Sequence, residues 1–299
     1  MNVKEWYSKH YKWLFFIPIA ILVACLIVVG THYVRTGDIV DRDVTLKGGL
    51  TLTISSDVKV PDMKERLAVM FPGSDMLVRT LTEFGSDAQT GFLIEASDVE
   101  EAPLKKAIEG MIAENRPGFV FTKDNYSVEQ VGSSLGEAFY SQMLMAILFA
   151  YIFMGVVVLI TFRSVIPSFT VVFCAFCDMM FPLALMDLFN IRLSTAGIAA
   201  LLMLIGYSID TDILITTKAL KRQEEGNLID RMFDGVKTGL TMTATTLVAL
   251  IAGYFISNSY VIKEIFMILI FGLIYDMVVT YLLNTGVLVW WVKRKAGEQ

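Results

Sequence analysis

The sequence is short of charge, and this shortage already limits what the protein can be. Only 18% of its 299 residues are Asp, Glu, Lys or Arg, against about 25% in an ordinary soluble protein. Hydrophobic residues make up 55%, and the mean hydropathy is +0.59. A core in water cannot hide this surplus, because much of any soluble domain stays exposed. A soluble enzyme and a disordered protein are therefore excluded, and lipid is the expected solvent.

Excess positive charge, cysteine pairs and phosphate-binding loops are also missing from the sequence. The net charge of −5 argues against a nucleic-acid binder, and three scattered cysteines do not make a disulfide framework. Cys174 and Cys177 have CxxC spacing but no nearby Cys or His to complete a metal site, so we interpret them as small apolar residues. No Walker A sequence occurs. We expect no metal, no cofactor and no catalytic residue; energy must come from a partner or an ion gradient.

Six stretches are long and apolar enough to cross a bilayer, which takes about 20 residues. They are Trp13–Val34, Gln142–Phe162, Ile166–Phe189, Leu193–Thr217, Thr238–Ile256 and Ile265–Val292. The first is longer than the apolar core of a signal peptide and lacks a small-residue cleavage site, so we interpret it as a retained anchor. The sequence predicts an α-helical membrane protein with six transmembrane helices, 13–34 and five within 139–292.

Residues 35–138 differ from the rest in composition. Between Arg35 and Glu137 there are 11 Lys or Arg and 18 Asp or Glu, more than the whole net negative charge. We expect a water-exposed domain here. Alternation and capping signals predict the order β-α-β-β-α-β, which is typical of a ferredoxin-like α+β domain.

The short connections between the predicted spans carry Lys and Arg unequally. With the N-terminus inside, twelve lie on the cytoplasmic side and only Arg192 and Lys263 lie outside. The positive-inside rule then predicts cytoplasmic ends, 1–12 and 293–299, and an extracytoplasmic domain between helices 1 and 2. Within the cytoplasmic loop 218–237, apolar residues from Asn227 to Val236 form one helical stripe. This predicts a short helix on the inner membrane surface; the alternative is a fifth span that starts early.

Aspartates occur deep in the predicted spans, where a charge facing lipid costs roughly 2.5–3.5 kcal/mol. The four are Asp178, Asp210, Asp212 and Asp276. At about 100° per residue, Asp210 and Asp212 point about 200° apart, so either one can face the bundle interior. We interpret Asp187 and Glu264, nearer the outer boundary, as interfacial. A single aspartate is explained equally well as structural glue, but several on three spans favour a protonatable relay.

Small and polar residues accompany these aspartates. The fourth span contributes Gly206, Tyr207 and Ser208, and the fifth is rich in hydroxyl residues, including Thr245 and Thr246. The sixth span repeats a polar or small residue every four positions, at Gly272, Asp276, Thr280 and Asn284. Such residues allow membrane helices to approach closely, so packing alone is the structural alternative.

One span, an exported domain and five further spans resemble one half of a transporter of the resistance-nodulation-division (RND) superfamily. Three stretches carry a closer resemblance. Residues 43–50, with Gly48 and Gly49, resemble an Asp-x-x-Gly-Gly segment; 206–215 resemble the signature fourth span; and 241–248 resemble the Thr-rich fifth span. The chain is thereby similar to SecF members of the SecD/SecF family of protein-export membrane proteins. Its Asp-Thr-Asp form is similar to archaeal members.

The resemblance implies a subunit of the Sec translocase that pairs with SecD and acts beside a SecYEG-type translocon. In the membrane lipid it would assist a translocating polypeptide, using the proton-motive force through the Asp210/Asp212 region. The pattern departs from bacterial SecF, which reads Gly-Tyr-Ser-Leu-Asn-Asp-Thr, so that the bacterial Asp falls on Thr211. Asp210 instead matches the register of the acidic residue in SecD. Lys237 is the nearest cation to the place of the bacterial partner arginine.

Two other functions remain open from the sequence. One is a small-molecule efflux subunit of the same superfamily, for which the predicted domain is modest in size. The other is an intramembrane aspartyl protease, in which two carboxyl groups share a proton. Tyr275-Asp276 resembles half of such a site. The matching Gly-x-Gly-Asp is absent, and residues 181–184 do not read Pro-Ala-Leu.

Overall fold

A computed structural model describes residues 3–82, 88–221, 227–257 and 259–297. The chain begins with α1 (Val3–Leu14) and α2 (Phe16–Thr36), and α2 ends at Gly37 in the left-handed conformation. The first candidate span covers His10–Thr36 and so includes the end of α1. Tyr7 and Tyr11 of α1 are buried against the spans. The helix α1 is therefore part of the packed structure.

Between the first and second spans lies a small α+β unit, here called the insert. Its elements are α3 (Val44–Lys47), β1 (Gly49–Ser55), α4 (Met63–Met70), β2 (Met76–Thr82), β3 (Gln89–Ala96), α5 (Glu101–Asn115) and β4 (Tyr126–Val131). The four strands form an antiparallel sheet in the order β2-β3-β1-β4, with Leu52 opposite both Ile94 and Val128. Alternate side chains of a strand share a face, and one face of this sheet packs on α4 and α5 around Leu67 and Ile108.

The rest of the chain forms the helical bundle. Its elements are α6 (Ser133–Phe162), α7 (Val165–Leu188), α8 (Thr195–Leu220), α9 (Leu228–Ile256), α10 (Tyr260–Val278), a π-helical segment (Val279–Asn284) and α11 (Thr285–Ala296). The last three form one candidate span, Tyr260–Lys295. The described residues contain six helices long and apolar enough to cross a membrane, as the sequence predicts. The helices α7 and α8 lie at the centre, packed on each other and on α10.

The fifth span, α9, differs from the prediction for the segment that precedes it. We expected a separate surface helix from Asn227 to Val236, but α9 begins at Leu228 and runs without a break into the span. Arg231 in its first turn is buried and donates to the main-chain oxygen of Lys218 at 3.3 Å. This contact ties the start of α9 to the end of α8, so the early start of the fifth span is the correct alternative. Residues 222–226 of the predicted loop lie outside the described residues.

Two glycines explain how the insert joins the bundle. Gly48 and Gly49 have φ angles of +88° and +145°, which favour glycine over residues with a Cβ. A Cβ on Gly48 would lie 2.4 Å from the Cα of Ser133, and one on Gly49 would lie 2.5 Å from the Ala96 oxygen. Ser133 begins α6, so the chain segments that lead into and out of the insert touch here.

Candidate functional site

Three carboxyl groups from three different helices lie inside the bundle. Asp178 on α7, Asp212 on α8 and Asp276 on α10 are each at most 1% exposed. These helices pack on one another through small and apolar residues; the Gly272 backbone, for example, lies against the Leu204 side chain. Buried charges of one sign need neutralisation or hydrogen bonds. We call Asp178, Asp212 and Asp276 the carboxyl cluster.

Hydroxyl and amide groups of the sixth span hold two members of this cluster. The Thr280 hydroxyl lies 2.8 Å from Asp212 Oδ1 and 3.1 Å from Asp276 Oδ1. It has one hydrogen, so it donates to one carboxyl group at a time. Asn284 donates from Nδ2 to Asp212 Oδ1 at 2.7 Å. Thr280 thus connects two carboxyl groups, and Asn284 anchors one of them.

The third member is held by α8. Ser208 donates its hydroxyl to Asp178 Oδ2 at 2.5 Å. Within the described residues, Asp178 Oδ1, Asp276 Oδ2 and Asp212 Oδ2 have no donor. Two carboxylates can only accept, so a hydrogen bond between them requires a proton. Protonation of one carboxyl group would supply a donor inside the bundle.

The π-helical segment explains why Thr280 and Asn284 reach the same acceptor. Four residues of α-helix turn by about 400°, so every fourth side chain drifts by about 40°. Hydrogen bonds from i to i+5 widen the turn and counter this drift. The segment Val279–Asn284 contains both side chains that contact Asp212. The Thr285 hydroxyl donates to the Thr280 oxygen at 2.9 Å and helps to satisfy the widened turn.

The opposite face of α8 carries other predicted site residues. Asp210, Gly206 and Tyr207 are exposed, with Tyr207 at 40%. The structure therefore resolves the sequence ambiguity: Asp212 faces the interior with Ser208, while Asp210 faces away. An aspartate on the outside of a membrane bundle is costly unless it meets a polar surface.

The remaining predicted residues do not join the carboxyl cluster. Thr245 and Thr246 donate to main-chain oxygens of α9, at 2.8–3.1 Å. Lys237 is exposed and lines a shallow groove with Thr241 and Thr245. Gly48 and Gly49 lie at the base of the insert. In their place, the structure brings in Thr280 and Asn284, which the four-residue repeat of the sixth span had indicated without assigning them a role.

Two carboxyl groups interpreted as interfacial have side chains that are buried within the protein. Glu264 is 1% exposed and accepts from the Ser194 amide at 2.9 Å and from its hydroxyl at 2.7 Å. The Asp187 side chain is 2% exposed and lies 3.6 Å from His32 Nδ1. Their position near the ends of predicted spans concealed this burial, because the sequence does not show which loops and helices cover those ends.

A charged patch joins the sheet of the insert to the spans. Arg192 forms an ion pair with Asp75 and lies 3.7 Å from Glu95 on β3. Burial, reinforced by the charge of Asp43, raises the pKa of Glu95 to about 6. Burial also raises the pKa of Asp43, although hydrogen bonds from Thr45 oppose this. Among the described residues, no group of three or more His, Cys, Asp or Glu could hold a metal ion.

Comparisons with known proteins agree with this geometry. Residues 113–294 match the family model for the C-terminal part of the protein export membrane proteins SecD/SecF. The protein-export membrane protein SecF of Pyrococcus furiosus is 36% identical over 94% of this chain and 91% of that protein. SecF of Methanolacinia petrolearia is 35% identical over 93% of each.

A solved structure has the same fold. SecDF from Thermus thermophilus, described as a translocon-associated membrane protein, superimposes with a TM-score of 0.72 at 18% identity. The match covers 96% of this chain but only 38% of that one. The chain is therefore similar to rather less than half of a SecDF molecule.

Proposed function

The chain belongs to the SecD/SecF family of protein-export membrane proteins, and we propose that it is an accessory subunit of the Sec protein translocase. With SecD it assists the export of proteins across the cytoplasmic membrane, and the proton-motive force drives this assistance. The role is that of a transport subunit and not of an enzyme. The observation that carries the proton coupling is the carboxyl cluster of Asp178, Asp212 and Asp276.

Proton coupling is supported by the chemistry of the cluster. Three buried carboxyl groups share few donors, and each has an oxygen without a donor among the described residues. Adding or removing one proton changes the charge between α7, α8 and α10. A charge that crosses the membrane field supplies about 2.3 kcal/mol per 100 mV. That energy biases a two-state equilibrium by one to two orders of magnitude.

A SecD partner is supported by the outward face of α8. Asp210 and Tyr207 are exposed on a bundle whose surface also carries many large apolar side chains. A second six-helix half would cover this face and supply polar groups for Asp210, which lipid cannot do. The match to 38% of the SecDF chain agrees with one half of a two-part assembly. Tyr207 and Gly206 then belong to the contact between halves.

The insert supports an extracytoplasmic placement. Its elements follow one another as β-α-β-β-α-β, and its sheet order is β2-β3-β1-β4, which is the arrangement of a ferredoxin-like domain. The bias of Lys and Arg supports a location of this domain, residues 35–138, outside the membrane and of both chain ends in the cytoplasm. There it would meet a polypeptide that leaves a SecYEG-type translocon. The names of the relatives favour this role over small-molecule efflux.

The test is single replacement of the cluster carboxyl groups in a strain that lacks the native subunit. For Asp212→Asn we expect the export stimulated by the proton-motive force to fall at least tenfold, because Asn cannot exchange a proton. Asp276→Asn should act in the same direction. Export of a reporter protein into inverted membrane vesicles, with and without an ionophore, measures the effect.

Asp62→Asn is the matched control, because this exposed carboxyl group of the insert lies far in sequence from the cluster. It should export like the wild type. Asp212→Asn and Asp276→Asn proteins that are present at normal levels and export normally would overturn the proposed proton coupling. Membership in the family would be unaffected.

A further inference from the structure

The loop between α7 and α8 holds the two helices that carry Asp212 and Asp276 together at the insert side. Ser194 is the residue before α8, and its hydroxyl accepts from the Gly197 amide as a helix cap. The same residue donates twice to Glu264 in the second turn of α10. Any shift of α8 against α10 therefore acts on residues 191–195, which we call the junction loop.

The junction loop is also bonded to the chain that leads into the insert. The Asp43 amide donates to the Leu193 oxygen at 3.0 Å, and the Leu193 amide donates to the Asp41 oxygen at 2.7 Å. Thr195 donates from its amide to the Thr45 hydroxyl at 3.1 Å, and the two hydroxyl oxygens lie 3.2 Å apart. Main chain and side chains thus hold the loop against α3.

Charged and aromatic side chains extend this contact to the sheet. Arg192 of the junction loop pairs with Asp75 just before β2 and lies 3.7 Å from Glu95 on β3. Arg79 on β2 lies over the ring of Tyr260, the first residue of α10, at 4.2 Å from its centroid. Arg192 and Glu95 are both poorly exposed, so their contact is screened less than a surface pair. The sheet is therefore held against the junction loop at the start of α8 and against the start of α10.

The helices α8 and α10 connect the carboxyl cluster to the junction loop. Asp212 lies about 27 Å along α8 from Ser194, and Asp276 lies about 18 Å along α10 from Glu264, at 1.5 Å per residue. Packed helices respond to a local change by shifts of about 1–2 Å as units. A change of charge at the cluster consequently displaces the helix ends that Ser194 and Glu264 connect.

We propose that the junction loop, through Arg192, Ser194 and Thr195, is the element that transmits protonation of the carboxyl cluster to the insert. This inference rests on the proposed proton coupling and adds its mechanical route. When α8 moves relative to α10, Ser194 is displaced, because it caps α8 and is hydrogen-bonded to Glu264 on α10. Arg192 and Thr195 pass that movement to the sheet and to α3. The insert and the loop move together as one body.

Pulsed electron paramagnetic resonance on the full chain in lipid vesicles tests the route. Spin labels are placed at Val69→Cys in the insert and Ile160→Cys on α6, both exposed side chains, after Cys25, Cys174 and Cys177 are changed to Ala. Asp212→Asn represents the protonated cluster. We expect it to shift the distance between the labels by about 2 Å or more. In Arg192→Gln/Thr195→Val this shift should disappear.

The chain offers a matched control. Arg66 forms a similar pair with Glu114 at 2.6 Å inside the insert, so Arg66→Gln removes an equivalent ion pair away from the junction loop. It should leave the shift intact. A shift that persists in Arg192→Gln/Thr195→Val would overturn the inference, as would the absence of any shift in the protein with an intact junction loop.

A second measurement covers the case in which the double variant folds poorly. Arg192→Gln combined with Thr45→Cys and Thr195→Cys, in the same cysteine-free background, allows a disulfide to replace the lost contacts. Export should return to at least half the wild-type level when this protein is oxidised and fall at least fivefold on reduction. Equal export in both redox states would overturn the route. The effect of Asp212→Asn on export tests proton coupling separately, so the two failures are distinguishable.

Discussion

Asp210 and Asp212 lie two residues apart on α8, but their environments differ. Asp212 is fully buried and accepts hydrogen bonds from Thr280 and Asn284 of the same chain. Asp210 is exposed on a face that it shares with Tyr207. The protein thus solvates one aspartate by itself and leaves the other to something outside it. Asp212 thus belongs to the interior of the bundle, and Asp210 is available for the partner contact that we propose.

The largest effect should come from removing a donor on the inward side. Asn284→Leu keeps the branched shape of the side chain but deprives Asp212 of an amide donor, and a hydrogen bond to a charged group contributes about 1.5–3 kcal/mol. We expect the free energy of unfolding to fall by about 2–3 kcal/mol, measured by denaturant titration in detergent micelles. Thr245→Val, on the exposed side of α9, is the control and should change it by less than about 0.5 kcal/mol. Equal losses would erase the distinction between inward and outward positions.

A smaller effect should follow from changing the outward aspartate. Asp210→Leu should leave the isolated chain as stable as before, because no inward contact is lost. It should weaken the heteromer with SecD about tenfold, or about 1.4 kcal/mol, as measured by the dissociation constant in nanodiscs. An unchanged dissociation constant would show that this face meets lipid and not a partner.

A third carboxyl group, outside the membrane, sharpens the comparison with a pH dependence. The pKa of Glu95 is raised to about 6 by burial, above an ordinary value near 4.3. The folded protein then binds the proton more tightly than the unfolded chain. The stability from this group is complete below about pH 4.3 and is lost as the pH rises through about 6.

Glu95→Gln should remove this slope and raise the free energy of unfolding at pH 7.5 by about 1–2 kcal/mol, since a pKa raised by one unit corresponds to about 1.4 kcal/mol. Unfolding curves of wild type and variant between pH 4 and 7.5 test this. Parallel curves across that interval would contradict it.

The sequence alone was sufficient for the spans, because a bilayer imposes length and hydropathy directly on each segment. Periodicity also placed the four-residue repeat of the sixth span. It could not decide between Asp210 and Asp212, since both faces of α8 carry polar residues and only the neighbouring helices distinguish them. Thr280 and Asn284 had no assigned role for the same reason.

Contacts between distant segments were not visible in the sequence. For example, Ser194 lies 70 residues before Glu264 in the sequence, and it donates two hydrogen bonds to the Glu264 carboxyl group. The surface helix expected from Asn227 became the start of α9, because Arg231 ties this segment to the end of α8. A helical stripe shows which face is apolar and does not show where the helix stops. Such features depend on tertiary packing.

The contact between Gly48 and Ser133 brings the two ends of the insert together, so the insert is a separable unit of the chain. Gly49 and Val131 are paired neighbours at the base of the sheet, and the chain on either side of them touches at Gly48 and Ser133. Cutting out residues 49–131 would leave two chain ends that a minimal splice could close. The helical bundle would therefore remain one continuous chain if the insert were replaced by another domain. Variation among such modules would require matching changes at contacts such as Arg192 with Asp75 and Arg79 with Tyr260.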